Sequence, residues 1–330
     1  MSRPLLLGTL ALLSALAPAA QDGAATAPDA LPESHILERV YVAGASVSDG
    51  FGLSKDLKTR VKLAHVFQAA CRAEGAHFLP LGDTRFFLDP RTAGERIIAT
   101  AIEGEATCFI GLDFLFWYAY GIKSEKLRLA YMEDALESLE RLECPILLGD
   151  LPDMTIALKG SYFGRPMLTP EMIPSKETLA TINRILQQWV LARENAHIVP
   201  MASLLKQIQG GEVIRLRNLT YEPKNLRELL QSDLLHLTAE GSIALCLLTG
   251  DVLIERFKSV QAEDFVFDRE RSMQRLVVIA ERLREAEQTA RDARREERRH
   301  EREERRKRPE EDASAGVMQR GSAHQLRAAS

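Results

Sequence analysis

Short runs of β-branched and aromatic residues alternate with longer stretches of helical period through the middle of this chain. Residues 39–43 (RVYVA) read as a first strand, stopped by Gly44. Residues 55–74 place Leu57, Val61, Ala64, Phe67 and Cys71 on one face of a helix. Residues 77–81 (HFLPL) read as a strand weakened by Pro80. A helix follows over 95–102, then a buried strand over 107–112 (TCFIGL). Residues 124–142 form a long amphipathic helix with Leu127, Leu129, Met132, Leu136 and Leu139, and 144–148 (CPILL) form another strand. A loop rich in Pro, Gly and Met spans 151–174. Helices over 176–195, 202–209 and 239–257 enclose one more strand at 196–200 (AHIVP). Such alternation predicts an α/β fold of three layers, a central parallel sheet covered by helices on both faces. Chemistry in such sheets sits at the carboxyl ends of the strands, which directs attention to residues 44–52, 82–83, 111–114 and 149–152.

The two ends follow different patterns. Arg3 precedes an uncharged apolar run over 5–16, and Ala17-Pro18-Ala19 follows at the spacing a signal peptidase reads. Residues 1–20 thus read as a signal peptide and 21–35 as a flexible leader, so the protein is expected to be exported, periplasmic or secreted. The domain proper spans 36–262. Beyond it, Met273, Leu276, Val277, Ala280 and Leu283 keep a helical stripe that fades by residue 293. Residues 281–312 hold 12 basic and 12 acidic side chains, a pattern that suits a solvated helix with i,i+4 ion pairs. A charged helical extension over 263–308 is expected, ended by Pro309, with a disordered tail over 309–330. The extension is a plain solvated helix, a helix for self-association, or a contact with the cell envelope. On this division the chain beyond residue 264 is dispensable to the core.

Composition narrows the function. The hydrophobic share of 45% is enough for a sizeable core, and a net charge of -4 argues against nucleic acid as a partner. The cysteines at 71, 108, 144 and 246 form no CxxC pair and read as buried free thiols. The histidines show no metal-ligand spacing, and neither GxGxxG nor GxxxxGK[ST] occurs, so no metal or other cofactor is implied.

The candidate chemistry lies at the end of the first strand and before the last helix. Ser46 follows a strand end among glycines, in Gly44-Ala45-Ser46-Val47-Ser48-Asp49-Gly50, where a tight turn exposes its hydroxyl. Asp233 and His236 stand three apart, ahead of Thr238 as a helix N-cap. The carboxylate then accepts from one ring nitrogen and leaves the other for a serine proton, the division of labour of a Ser–His–Asp triad. Blander readings also fit: Ser46 and Ser48 as caps of the first helix, and His236 as a capping residue. Trp117, Tyr118 and Tyr120 are core packing or the lining of an acyl or sugar pocket.

Four segments in order resemble the SGNH/GDSL hydrolases, esterases and lipases on a flavodoxin-like fold. They are VYVAGASVSDGFGL, FIGLDFLFW, AHIVPMASLL and SDLLHLTAEG, within residues 36–258. The first is similar to that family's Gly-Asp-Ser block, the second to its Gly-x-Asn-Asp block and the last to its Asp-x-x-His block. The resemblance implies Ser46 as nucleophile, His236 as general base and Asp233 as its orienter. It implies an oxyanion hole from the Ser46 N–H, the Gly82 N–H and the side chain at position 113. Two positions depart from the pattern: Ala45 replaces the Asp of the first block, and Asp113 stands where the family has Asn. An ionised Asp cannot donate to an oxyanion, and one lost donor costs about 10²–10³ in rate; a protonated Asp113, its pKa raised by the apolar Ile110, Leu112, Phe114, Phe116 and Trp117, still donates. The expected activity is cleavage of a small-molecule, glycan or lipid ester. A non-catalytic envelope-binding or scaffold protein on the same fold, and an acyltransferase using the same triad, are the alternatives.

Overall fold

The computed structural model describes residues 36–222 and 225–325, with side chains as far as residue 304. The expected signal peptide and leader lie outside the described residues. Strands β1 (Val40–Gly44), β2 (Phe78–Gly82), β3 (Cys108–Gly111), β4 (Ile146–Gly149) and β5 (Ala196–Val199) form one sheet in the order β2-β1-β3-β4-β5. Every pairing is parallel. Strands β3 and β4 are buried at every position, as expected of a sheet covered on both faces. Pro80 is tolerated because β2 is an edge strand. The Asp83 N–H donates to Gly44 O at 3.0 Å, so by alternation the Pro80 nitrogen faces away from β1.

The helices cover both faces, giving the flavodoxin-like α/β arrangement. In chain order they are α1 (Ser54–Leu57), α2 (Leu63–Ala70), α3 (Pro90–Glu103), α4 (Phe116–Ala119), α5 (Glu125–Leu139), α6 (Lys176–Leu191), α7 (Met201–Gly210), α8 (Ala239–Arg256) and α9 (Arg269–Gln325). Helices α3, α5 and α6 pack in series, while α2 packs on α8 and α9. Local signals set several starts: Asp89 accepts from Thr92 N–H, Ser124 from Leu127 N–H, Ser175 from Thr178 N–H and Thr238 from Gly241 N–H.

Three features depart from the sequence expectations. The helix expected over 55–74 is broken between α1 and α2, with Lys58 at φ 57°. The break turns Arg60 and Lys62 back onto the buried Asp49, at 2.7 and 2.9 Å, and lets the Leu63 N–H donate to Ser48 O at 3.1 Å. On α5, Leu127 is 42% exposed while Arg128 is 1% exposed. The Arg128 guanidinium reaches three carbonyls, Ala119 O, Glu171 O and Met172 O, and Glu125 pairs with it from the same helix. A buried charge is stable only with such complete pairing. Finally, a small hairpin, β6 (Ile214–Leu216) with β7 (Leu219–Tyr221), appears where the sequence carried no clear signal.

The charged extension is part of the packed core at its start. Phe265, Val266, Leu276 and Ala280 are buried, and Val266 N–H donates to Ala70 O at 2.8 Å. Arg275 donates to Ala69 O and Cys71 O, at 2.7 and 2.6 Å, satisfying carbonyls at the end of α2. Over residues 288–304 α9 is exposed, and Glu287 pairs with Arg291 at the expected i,i+4 spacing. Its span includes Pro309. All four cysteines are buried free thiols. Among the described residues no helix is long and apolar enough to cross a membrane.

Candidate active site

Strand β1 delivers the chain into a tight turn at the carboxyl edge of the sheet. The turn closes through Asp49 N–H to Ala45 O at 2.9 Å, Gly50 N–H to Val47 O at 3.0 Å and Phe51 N–H to Ser46 O at 2.9 Å. Gly44 must be glycine here: its φ is 149°, and a Cβ would lie 2.1 Å from Asp113 Oδ1. Ser46 is half-buried at the tip, and its N–H makes no hydrogen bond among the described residues.

A second turn, just before α8, brings in the other two groups. Asp233 is fully buried, and its Oδ1 accepts from the N–H groups of Leu235 and His236, both at 3.0 Å. Its Oδ2 lies 2.8 Å from His236 Nδ1, and His236 Nε2 lies 2.9 Å from Ser46 Oγ. Burial pushes the Asp233 carboxyl up, but hydrogen bonds from the His236 ring and the two N–H groups outweigh it, and the carboxyl sits below its ordinary range. An ionised Asp233 fixes a hydrogen on Nδ1 and leaves Nε2 as the acceptor for the Ser46 hydroxyl. The structure thus brings together Ser46, His236 and Asp233, from two turns far apart in sequence, with relay geometry.

Two contacts lock the turns to each other. The Phe51 ring lies on His236, with centroids 4.3 Å apart and planes 31° apart. Gln231 Nε2 donates to Phe51 O and to Leu237 O, each at 2.7 Å. Neither Phe51 nor Gln231 stood out in the sequence. Phe51 follows Gly50 within the first motif, and its position beside the glycines was the only available signal.

Asp113 is placed as an acceptor for the Ser46 turn, not as the oxyanion donor that the resemblance implies for position 113. Its Oδ2 accepts from Val47 N–H at 2.8 Å and Ser48 N–H at 3.3 Å, and its Oδ1 lies 2.5 Å from Ser48 Oγ. Burial raises its carboxyl above the usual range, opposed by the Ser48 hydroxyl and the N–H groups of the turn. Both oxygens are engaged by the turn, Oδ2 by two N–H groups and Oδ1 by Ser48 Oγ, so the side chain is committed to holding the turn rather than to an oxyanion. Gly82 lies against the backbone of the same turn, where a Cβ would come 2.3 Å from Asp49 N, and it does not line the cavity beside Ser46. Ser48 is fully buried and bonded to Ala43 O and Asp113, so Ser46 is the hydroxyl presented to His236.

These bonds make a specific prediction. Asp113→Ala leaves the Val47 and Ser48 donors buried without an acceptor and is expected to cost about 1–3 kcal/mol in stability. Asp113→Asn keeps one oxygen for both N–H groups and turns its NH₂ to Ser48 Oγ, whose hydrogen then goes to Ala43 O. It is expected to retain most of that stability. Equal losses in thermal or urea unfolding of the two variants would contradict the assigned bonds.

A cavity of about 50 Å³ opens beside Ser46 and adjoins a second of about the same volume. Their shared walls are Val47, Pro152, Met154, Met201 and Leu235, and the second is lined also by Leu204, Ile208 and Leu245. The polar members beside Ser46 are Asp113 and Asp150. Burial raises the Asp150 carboxyl, against hydrogen bonds from the first N–H groups of α7, including Ala202 N–H at 2.7 Å. Of the aromatics after β3, Phe116 lines the cavity. Trp117, Tyr118 and Tyr120 are buried, and Tyr120 Oη donates to Pro152 O at 2.6 Å, holding the loop that walls the slot. No group of side chains among the described residues is arranged to hold a metal.

No family model matches the chain, and no curated protein matches it in sequence. Among solved structures, a gut microbial diltiazem-metabolizing enzyme is a distant neighbour at 9% identity and a TM-score of 0.44. The match covers 67% of this chain and 47% of that one, so this chain spans about half the length of that enzyme.

Proposed function

We propose that this protein is an exported serine hydrolase that cleaves an ester through an acyl-enzyme on Ser46. The observation that carries the reading is the relay itself, Asp233 Oδ2 to His236 Nδ1 at 2.8 Å and His236 Nε2 to Ser46 Oγ at 2.9 Å. His236 takes the Ser46 proton as Oγ attacks the ester carbonyl. Asp233 holds the ring and stabilises the imidazolium that forms. The free Ser46 N–H faces the developing oxyanion. His236 then returns the proton to the departing alcohol, and water activated by the same ring releases the acid. The slot between Val47, Met154, Met201 and Leu235 suits a short, unbranched acyl chain, since its volume admits few methylenes and its walls are apolar. Export is the reading of the apolar run over residues 5–16 and the small residues after it.

A second reading keeps the fold as a binding protein without turnover. The engaged oxygens of Asp113 favour it, because the oxyanion loses the amide donor that the resemblance implies. A fluorophosphonate probe separates the two. The mature wild type is expected to label covalently, Ser46→Ala to lose the label, and a folded Ser48→Ala to keep it. A folded wild type that takes no label would sink the hydrolase reading and leave the binding reading.

A further inference from the structure

The ring on His236 begins a row of aromatic side chains that the mechanism above does not use. Phe51 lies 4.3 Å from His236, Tyr162 lies 5.1 Å from Phe51, and Phe163 lies 4.5 Å from Tyr162, centroid to centroid. The row runs from the general base to the surface, where Phe163 is 88% exposed. Its outer end is a two-residue hairpin turn: Tyr162 and Arg165 exchange backbone bonds at 2.8 and 3.2 Å, with Phe163 at φ 51° and Gly164 at φ 81°. Positive φ at both central positions is the type I′ pattern, which favours Asn-Gly. A bulky residue in that conformation is strained, and an exposed ring returns little burial to offset the strain. A cation flanks the rings: Lys55 Nζ stands 4.4 Å over Tyr162 and 5.7 Å from Phe163, and it forms no ion pair among the described residues.

We infer that this row is the subsite for the alcohol portion of the ester, and that this portion carries a ring with an acidic substituent. The inference rests on the hydrolase reading. His236 must hand its proton to the leaving oxygen, so the alcohol lies on the His236 side of the scissile bond. The acyl chain occupies the apolar slot beside Ser46, whose lining includes none of Phe51, Tyr162 and Phe163. The alcohol therefore passes over Phe51 and Tyr162 towards Phe163. Flat aromatic faces there select a ring over a flexible chain, and the unpaired Lys55 ammonium favours a carboxylate on that ring. An acidic phenol and an acidic sugar share this chemistry.

The test uses the mature full chain and five acetyl esters: ethyl acetate, phenyl acetate, 4-acetoxybenzoate, a monoacetylated methyl glucoside and a monoacetylated methyl glucuronide. The variants are Phe163→Asn and Lys55→Gln. Asparagine suits the left-handed position, so Phe163→Asn is expected to melt no lower than the wild type while losing the ring. Its kcat/KM ratio for each ring ester over ethyl acetate is expected to fall about tenfold, through KM. Lys55→Gln is expected to reduce the preference for each acidic ring over its neutral counterpart about twofold to threefold. The aryl and sugar arms show which ring the row accepts. An active wild type whose ratios do not change in Phe163→Asn overturns this inference and leaves the hydrolase intact. A folded wild type that neither takes the fluorophosphonate nor turns over any of the five overturns both.

Discussion

His236→Ala is expected to lower ester turnover about 10⁴- to 10⁶-fold while leaving the protein folded. The imidazole is the only group among the described residues placed to take the Ser46 proton, with Nε2 2.9 Å from Oγ. Water entering the gap is a far weaker base, and the Ser46 N–H alone retains only residual stabilisation of the transition state. Asp233→Asn is expected to lose about 10⁴-fold by a different route. The amide keeps an oxygen for the Leu235 and His236 N–H groups, so the turn survives. Its NH₂ then faces Nδ1, which must become the acceptor, and the hydrogen moves to Nε2, where it blocks the serine. Asp233→Ala removes the acceptor for two buried N–H groups as well, and is expected to lose stability together with rate. Steady-state kinetics on 4-nitrophenyl acetate, with circular dichroism and thermal melts on the same samples, separate these outcomes. A His236→Ala protein that keeps more than a few per cent of the wild-type kcat/KM contradicts the assigned base.

Much of this site was legible because its two halves are local motifs. Ser46 sits one residue past a strand-ending Gly-Ala, and Asp233 and His236 are three apart ahead of the Thr238 cap. Spacing of that kind fixes which side chains share a turn. The alternation of strand and helix was legible for the same reason, since β3, β4 and β5 are short apolar runs with breakers on both sides. What the sequence hid depends on contacts between distant segments. The break between α1 and α2 exists because Asp49 draws Arg60 and Lys62 inward, and no periodicity announces an ion pair. Arg128 breaks the apolar stripe of α5 yet is buried, because carbonyls from residues 119, 171 and 172 converge on it. Asp113 was read by analogy with an amide donor, whereas its oxygens serve as acceptors for the turn that presents Ser46. Gln231 and Phe51 join the two turns across 180 positions, a link invisible to any local pattern.

The same limit governs the carboxy-terminal extension, where the charge pattern set the domain boundary too early. Deleting residues 265–330 is expected to yield no soluble folded protein. It removes Phe265, Val266, Leu276 and Ala280 from the core and uncovers the apolar groups of α2 that they shield. Burial of each larger side chain stabilises by about 1.5–3 kcal/mol, against a net stability of about 5–15 kcal/mol for a whole domain. The deletion also withdraws Arg275 from Ala69 O and Cys71 O, leaving the end of α2 without its partner. Deleting residues 289–330 spares the packed stripe and, as far as residue 304, removes exposed side chains, where each ion pair adds about 0.2–0.5 kcal/mol. That chain is expected to melt within a few degrees of the wild type and to react with the fluorophosphonate at the same rate. The comparison is direct: soluble yield, melting temperature and labelling rate for the two truncations side by side. Full solubility and labelling in the shorter chain would mean that the α2–α9 contact contributes little. Loss of labelling in the longer one would tie the charged helix to the active site by a contact outside the packed stripe.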